Sequence, residues 1–377
     1  MKWPQGFRSA GTHCGIKAAG ASDLGLLVAD DSVEWAGTFT TNAAAAAPVQ
    51  WSRSRLGSPV RAIVANSGNA NACTGKAGAK AVDAGASRVA EALGCDPGEV
   101  LVASTGPIGV QLPVDLVSSG IERLPQLLSE DPEPFATSIM TTDTRLKVAS
   151  APVGAGSIVG VAKGAAMCAP NMATMLAFLA TDVKPPTEMQ PALTDAVLQT
   201  FNRISIDGCE STNDSVFLMS SAVHACDDLA FRSAVLDVCR ELALAIASDA
   251  EGGTRLMRVQ VSGAPTETDA VDLARAVADS ALWRAAFHGG DPNWGRVLSA
   301  LGSARRDLDL TQVTVALGSE TVFDRGEPAG SLEGAAKAMT GDEVVVECIV
   351  GTGAGRAEVL SADLSADYVR LNAEGTS

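Results

Sequence analysis

The chain has 377 residues, a length that suits two domains better than a single core. Its composition, 46% hydrophobic and 19% charged, is typical of globular proteins and excludes intrinsic disorder. The net charge of −16 at pH 7 argues against nucleic acid and anionic membranes as partners, because both require a basic surface.

Short apolar runs alternate with longer segments of helical periodicity, which predicts a mixed α/β chain without repeats. Residues 343–351 and 355–364 are predicted to form a late hairpin around the turn TGAG. The other predicted strands are 24–30, 33–41, 61–68, 99–109, 157–164, 174–183, 204–207 and 255–263, and the predicted helices are 77–94, 191–203, 231–248 and 268–287.

The eight cysteines are scattered without a CxxC pair, and the chain has only three histidines. This pattern favours reduced thiols over a disulfide framework or a structural zinc site. The opening residues lack the apolar core of a signal peptide, and no apolar run reaches the ~18 residues of a membrane helix. We therefore expect a cytoplasmic protein without a metal.

The stretch MCAPNMATML, residues 167–176, places Thr174 at the start of an apolar strand, directly after an irregular segment. The structural interpretation is that β-branched Thr favours strands, and from this stretch alone it is the commoner one. The functional interpretation is that the bond between Ala173 and Thr174 is cleaved. The new α-amine, which titrates near ~7.7–8.0, would then activate the Thr174 hydroxyl as a nucleophile without any histidine.

Further polar segments contain side chains that could have either a catalytic or binding role or a purely structural one. In STGPIG, residues 104–109, the Thr105 hydroxyl and the Gly106 N–H could hold an oxyanion, or Gly106 could serve only a tight turn. Lys163 lies between two predicted strands, and MTTDTRLK, residues 140–147, contributes three hydroxyls and an Asp. Glu251 could bind an amine or could simply occupy a turn. IDGCESTNDS, residues 206–215, is either a solvated loop or part of a site.

The glycines of FHGGDPNWGR, residues 287–296, do not match a phosphate-binding loop, and the lone His288 is more often structural than catalytic.

Taken together, eight segments resemble, in order, the motifs of the ornithine acetyltransferase family, the glutamate N-acetyltransferases of the cyclic arginine pathway. The resemblance runs from about residue 6 to residue 377. The segments are GFRSAGTHCGIK, ANSGNANACTG, STGPIG, IMTTDT, AKGAAMCAPNMATML, FNRISIDGCESTND, HGGDPNWGR and DYVRLNAEGTS.

The resemblance implies a mixed α+β sandwich with two domains, unlike a doubly wound nucleotide-binding fold. It also implies self-cleavage between Ala173 and Thr174 into an alpha chain, 1–173, and a beta chain, 174–377. These two chains would remain associated as a heterotetramer of two copies each.

The resemblance also implies roles for individual residues. Thr174 would be the nucleophile, and Thr105 and Gly106 would form the oxyanion hole. The implied substrate-binding residues are Thr141, with Thr142 as an alternative, Lys163, Thr174, Glu251, Asn372 and Ser377.

The implied reaction is ping-pong: N2-acetylornithine acetylates Thr174, ornithine leaves, and glutamate accepts the acetyl group. No cofactor is needed, and acetyl-CoA as a second acetyl donor is left open. We infer that Lys163 pairs with a substrate carboxylate and Glu251 with a substrate ammonium. The alternatives are an acyltransferase or amidohydrolase of the same fold with another substrate, and an unprocessed homologue without catalysis.

Four positions depart from the family's motifs: Pro107, Ala166, Arg255 and Gly375. Pro107 removes an N–H next to the oxyanion pair, and Ala166 would be strained if its φ were positive. We expect these departures to affect the choice of substrate more than the class of reaction.

Overall fold

Strands and helices alternate along the chain, as the sequence pattern predicts, and they form two units in the computed structural model. The structure describes residues 1–18, 20–168, 175–185 and 187–375. Unit 1 comprises Met1–Asn202 and Cys209–Ile246, and unit 2 comprises Arg203–Gly208 and Ala247–Gly375. The predicted chain boundary between residues 173 and 174 lies outside the described residues, so the division into alpha and beta chains stays a prediction.

Unit 1 contains two sheets and the helices that cover them. Its strands are β1 (Phe7–Thr12), β2 (Leu24–Phe39), β3 (Val60–Ser67), β4 (Val100–Thr105), β5 (Lys147–Val153), β6 (Gly156–Lys163), β7 (Leu176–Lys184) and β8 (Ser215–Ala225). Its helices are α1 (Ala47–Arg53), α2 (Gly75–Leu93), α3 (Val114–Ile121), α4 (Glu133–Ile139), α5 (Met189–Gln199) and α6 (Asp228–Ala247).

The long strand β2 carries the chain from one sheet to the other. Its first part, Leu24–Val28, pairs with β3, and its second part, Glu34–Phe39, pairs with β8 after a shift of register. The hydrogen-bonded order is β4-β3-β2-β8-β7-β6-β5, with β1 also paired to β2. The two strands predicted at 24–30 and 33–41 are therefore one continuous strand.

Alternating side chains of β3 show that the two sheets pack face to face. Ile63 and Ala65 belong to a core cluster that includes Phe178 and Phe217 of the other sheet. Val64 points to the opposite side, into a second cluster that contains residues of α2. The inner faces thus form the core of a sandwich, which confirms the predicted mixed α+β architecture.

Helix α6 covers the outer face of the second sheet at a glycine. A Cβ on Gly160 of β6 would lie 2.9 Å from side-chain atoms of Val238 and Leu242, so the absence of a side chain lets the helix approach closely. On β7 and β8, the rings of Phe178 and Phe217 stack with centroids 5.3 Å apart. The backbone ladders place β7 between β6, to which it is antiparallel, and β8, to which it is parallel.

Unit 2 is built on a six-stranded sheet in the order β12-β11-β10-β13-β9-β14. Its strands are β9 (Leu256–Ala264), β10 (Thr314–Leu317), β11 (Glu320–Asp324), β12 (Glu327–Pro328), β13 (Glu343–Ile349) and β14 (Gly355–Ala362). Its helices are α7 (Glu267–Ala278), α8 (Ala281–Gly289), α9 (Trp294–Ala304), α10 (Leu332–Ala338) and α11 (Ala366–Glu374).

Three sequence predictions for unit 2 are wrong. The predicted late hairpin does not form, because β9 lies between β13, to which it is parallel, and β14, to which it is antiparallel. The predicted strand at 204–207 is reduced to one isolated bridge between Ile204 and Leu360. The predicted helix at 268–287 is two helices, and the second begins where the Ser280 hydroxyl accepts a hydrogen bond from the Trp283 N–H.

Among the helices of the described residues, none is both long enough and apolar enough to cross a bilayer.

Candidate active site

One cleft in unit 1 gathers four of the residues that the sequence predicts for the site. Thr105 ends β4 and Gly106 follows it, Lys163 ends β6, and Thr141 precedes β5. The cleft encloses about 440 Å³ of space, including its opening to solvent. Its other lining residues are Ile108, Thr142, Ala166, Met167, Ser211, Thr212 and Asn213.

Lys163 and Thr105 are joined by a hydrogen bond at this cleft. The Lys163 Nζ donates to the Thr105 Oγ1 at 3.2 Å, and Lys163 is only 5% exposed. Because the ammonium occupies an acceptor position of the hydroxyl, the Thr105 proton is directed elsewhere and can be donated to a ligand oxygen. This polarity is the one that an oxyanion hole requires.

The neighbouring backbone leaves no room for a side chain at position 106. A glycine is therefore needed for the turn, and its N–H remains available for an oxyanion. Its φ is +137°, and a Cβ there would lie 2.4 Å from the Asn69 N and 2.6 Å from the Gly68 carbonyl carbon. The following Pro107 contributes its carbonyl, which accepts from the Ala70 N–H at 3.1 Å. The loop is therefore tied down without the N–H that proline lacks.

Asp143 lies behind the cleft and connects three segments. Its Oδ1 accepts from the Lys147 Nζ at 2.6 Å and from the Gly164 N–H at 2.8 Å. Its Oδ2 accepts from the Thr141 N–H at 3.0 Å. Burial alone would raise the pKa of Asp143, but the charges of Lys163 and Lys147 and these hydrogen bonds outweigh it and lower the pKa to about 2.

This pKa gives a prediction for stability at acid pH. Because the folded-state pKa of Asp143 lies below that of an unfolded chain, ionised Asp143 stabilises the fold by about 2 kcal/mol at neutral pH. That stabilisation is lost as the pH falls from about 4 to about 2. In urea titrations at about pH 5, 4 and 3, the wild-type free energy of unfolding should fall more steeply than that of Asp143→Asn. Parallel declines would contradict this assignment.

Lys17 supports the same region from the N-terminal motif. Its Nζ donates to the carbonyl of Met140 at 2.6 Å and to that of Ser22 at 3.0 Å. Burial lowers the pKa of Lys17, and the charge of Lys163 adds to the effect. The loop that carries Lys17 is itself held by buried Asp23, which accepts four backbone N–H groups from residues 14–17.

Asn213 is a site residue that the sequence interpretation did not identify. Its Nδ2 donates to the carbonyls of Ala70 at 2.6 Å and Ser104 at 2.9 Å, so it braces the residue before Thr105. Asn213 is only 5% exposed, and the solvated-loop interpretation is therefore wrong for this part of 206–215. Polarity alone could not distinguish a solvated loop from a buried one that lines a cleft.

The predicted nucleophile and the predicted cleavage bond, Thr174 and Ala173, lie outside the described residues. Leu176, two residues later in the sequence, pairs with Lys163 across β6 and β7. Before these residues in the sequence, Met167 has a positive φ of 51°. The left-handed backbone conformation that was suspected at Ala166 is therefore found at the next residue, Met167.

In unit 2, Glu251 and Asn372 are neighbours, although 121 residues separate them. The Asn372 Nδ2 donates to the Glu251 Oε2 at 2.9 Å. The loop of Glu251 is anchored by buried Asp363, which accepts from the Thr254 N–H at 2.7 Å and its hydroxyl at 2.6 Å. Burial would raise the pKa of Asp363, but these bonds and one with His288 hold it below its ordinary value. Ser377 lies outside the described residues.

Two of the departures from the motifs have structural explanations in unit 2. The Arg255 guanidinium donates to the carbonyls of Met339 at 2.6 Å and His288 at 2.7 Å, so it binds main chain at the ends of both α10 and α8. Gly375 follows the last residue of α11, and a Cβ there would lie 2.9 Å from the Leu371 carbonyl oxygen, which favours glycine at this position. His288 also contacts Asp363, with Nδ1 2.6 Å from Oδ2, in agreement with a structural role.

Within the described ranges, no group of three or more His, Cys, Asp and Glu residues is arranged to hold a metal ion.

Comparison with known proteins gives matches along the chain. Residues 8–377 match the ArgJ family. The chain is 44% identical to the arginine biosynthesis bifunctional protein ArgJ of Thermus thermophilus, over 99% of this chain and 98% of that protein. It is 42% identical to the glutamate N-acetyltransferase of Methanopyrus kandleri, over 99% of each.

A solved structure supports the fold. The crystal structure of the arginine biosynthesis bifunctional protein ArgJ from Bacillus halodurans is 34% identical, with a TM-score of 0.51. The match covers 54% of this chain and 100% of that one. The family match and the full-length relatives agree with the resemblance of the motifs, and the chain therefore belongs to the ArgJ family and is an acyltransferase.

Proposed function

We propose that the protein transfers the acetyl group of N2-acetylornithine to glutamate through an acetyl-Thr174 intermediate, after cleaving its own chain between Ala173 and Thr174. Acetyl transfer in arginine biosynthesis follows from membership of the ArgJ family. The observation that carries the finer proposal is the 3.2 Å hydrogen bond from Lys163 to Thr105 at the cleft. The backbone of Lys163 also pairs with that of Leu176 in β7, the strand that follows Thr174 in the sequence. Lys163 and its partner Thr105 therefore lie beside the start of that strand.

The cleavage step uses the Thr174 hydroxyl. Its Oγ adds to the carbonyl carbon of Ala173, the C–N bond breaks, and an ester replaces the amide. Water then hydrolyses the ester, which leaves a carboxylate on Ala173 and a free α-amine on Thr174. That amine is the base for the next reaction, since it titrates near ~7.7–8.0 and is held beside its own Oγ.

The transfer reaction repeats the same chemistry on the substrate. Thr174 Oγ attacks the acetyl carbonyl while its α-amine accepts the proton, and the oxyanion is stabilised by the Thr105 hydroxyl and the Gly106 N–H. Collapse breaks the amide C–N bond, and the proton goes from the α-ammonium to the departing amine of ornithine. The amine of glutamate then attacks the acetyl ester, the C–O bond to Thr174 breaks, and the proton of the amine passes through the α-amine to the released Thr174 Oγ. No ATP is required because the amide is exchanged for another amide.

Two charged side chains of opposite sign bind the two charged groups of the substrate. Lys163 pairs with the carboxylate and Glu251 with the ammonium of ornithine, since charge-assisted hydrogen bonds are the strong ones. Thr141, or its neighbour Thr142, contributes a hydroxyl in the Lys163 cleft. Asn372, which contacts Glu251, and the terminal Ser377 complete the proposed binding residues.

We also propose an oligomeric state and a cellular location for the enzyme. The cleaved alpha and beta chains form a heterotetramer of two each and act in the cytoplasm. No cofactor takes part, and acetyl-CoA is a second acetyl donor to be tested beside N2-acetylornithine.

The test is a transfer assay with purified protein, N2-acetylornithine and isotopically labelled glutamate. Labelled N-acetylglutamate should form without ATP or acetyl-CoA, and ornithine should appear in equal amount. A parallel reaction with acetyl-CoA as the only donor tests the second donor. Failure to transfer from N2-acetylornithine, with transfer from another acyl donor, would favour the alternative of a different substrate.

Thr105 provides a prediction specific to the oxyanion hole. Thr105→Ala removes a donor that acts on the developing negative charge, and we expect kcat to fall by about 100-fold. Self-cleavage should slow as well, because it passes through a similar oxyanion. Thr105→Ser keeps the hydroxyl and is the matched control, for which kcat should stay within about tenfold of the wild type. Equal rates for Thr105→Ala and the wild type would remove Thr105 from the site.

A further inference from the structure

We propose that Asp143 is a positioning residue that holds Thr141 and Lys163 in place for the carboxylate of the substrate. The inference rests on the proposed function, because it assigns the carboxylate-binding side of the same cleft. Asp143 itself does not line the cleft. It acts through the two residues that do.

The first argument is connectivity. The two carboxylate oxygens of Asp143 accept hydrogen bonds from the Thr141 N–H, the Gly164 N–H and the Lys147 Nζ. Thr141 is a proposed binding residue, and Gly164 follows another, Lys163. One buried carboxylate therefore fixes the backbone at both positions at once, although they lie in different segments of the chain.

The second argument is charge. The side chains of Asp143 and Lys147 are both 0% exposed and form a direct ion pair at 2.6 Å. Lys163, by contrast, donates to the neutral hydroxyl of Thr105. The one carboxylate of Asp143 faces two ammonium groups, because the charges of both Lys163 and Lys147 act on it. The direct ion pair is with Lys147, and among the described residues that line the cleft Lys163 is the cation that a ligand anion can meet. A substrate carboxylate would balance it.

The alternative is that Asp143 only neutralises the buried Lys147. That role would need no contact with the backbone of the site, and an apolar pair of similar volume could replace it. Asp143 instead uses both oxygens on N–H groups of the site segments. The two roles predict different results when the charge of Lys147 is removed together with that of Asp143.

The chain offers a matched control for a buried carboxylate that anchors backbone. Asp182 is 6% exposed and accepts from the Ser157 N–H at 2.8 Å and the Gln5 N–H at 3.2 Å. Ser157 lies at the start of β6, whereas Lys163 ends that strand. Asp182→Asn should therefore lower the melting temperature without changing recognition of the carboxylate.

The experiment compares kcat and KM of the wild type with those of Asp143→Asn, Asp182→Asn and the double variant Asp143→Asn/Lys147→Met. The substrates are N2-acetylornithine and N-acetylputrescine, which lacks the carboxylate. KM is used because it does not depend on the fraction of enzyme that has cleaved itself.

In Asp143→Asn, KM for N2-acetylornithine should rise about tenfold, as expected for the loss of a buried hydrogen-bonded anchor, while kcat changes less. The preference for N2-acetylornithine over N-acetylputrescine, as a ratio of kcat/KM, should fall by about the same factor. The double variant should regain melting temperature relative to Asp143→Asn but keep the raised KM.

Three results would overturn the inference. The first is a wild-type KM in Asp143→Asn, the second is recovery of KM in the double variant, and the third is an equal loss of preference in Asp182→Asn. In each case wild-type turnover of N2-acetylornithine would still support the proposed function. If the wild type itself does not turn over N2-acetylornithine, both proposals fail together.

Discussion

Thr174→Ala is expected to give a single chain of 38.3 kDa with no acetyl transfer. The hydroxyl of Thr174 is the proposed nucleophile for both self-cleavage and transfer, and without cleavage the α-amine that should act as its base is never released. Electrophoresis under denaturing conditions and the transfer assay measure the two effects on one preparation. Because one atom serves both reactions, both should be lost together.

Thr174→Ser is the matched control for that prediction. Serine retains an Oγ and, after cleavage, an α-amine, so both cleavage and transfer should persist at reduced rates. A Thr174→Ala protein that transfers acetyl groups from N2-acetylornithine would contradict the proposed mechanism. A Thr174→Ala protein that is cleaved but inactive would separate the two reactions and assign the cleavage to another group.

Gly106→Ala is expected to lower kcat by about 100-fold or more, because it displaces the oxyanion donors. The new Cβ would lie 2.4 Å from the backbone N of Asn69, a separation that no side-chain rotation can relieve. The turn must therefore shift, and the Gly106 N–H and the Thr105 hydroxyl shift with it. Steady-state kinetics with N2-acetylornithine measure the effect.

Gly109→Ala separates this displacement from simple backbone strain. Gly109 lies in the same loop and also has a positive φ, +83°, but a Cβ there would meet no heavy atom within 4 Å. Both variants should lose stability through the unfavourable φ, whereas only Gly106→Ala should lose most of its kcat. Similar kcat values for the two variants would contradict the assignment of Gly106 to the oxyanion hole.

Elements with a strong local pattern could be predicted from the sequence. Strand β3 lies where its apolar run places it, and α2 ends at Gly94, whose φ of 68° is the left-handed conformation that glycine readily adopts. The predicted late hairpin failed for the opposite reason. Strand β9, which precedes β13 by about eighty residues, inserts between β13 and β14, and a local pattern contains no information about such a pairing.

The same distinction applies to the site. Thr105 and Lys163 lie 58 residues apart, and the motifs identified both because each segment resembles a known family. In the sequence, nothing distinguished Asp143 and Asn213 from the other polar residues of their segments. Their importance comes from the partners that folding brings to them, the Gly164 N–H for Asp143 and two backbone carbonyls for Asn213.

The most direct test of the account is the intact mass of the denatured protein after incubation with N2-acetylornithine and without glutamate. The account predicts two species, one ending at Ala173 and one beginning at Thr174, with the second heavier by one acetyl group. Addition of glutamate should remove that acetyl group. A single unacetylated species of 38.3 kDa in active preparations would contradict both the self-cleavage and the acetyl-Thr174 intermediate.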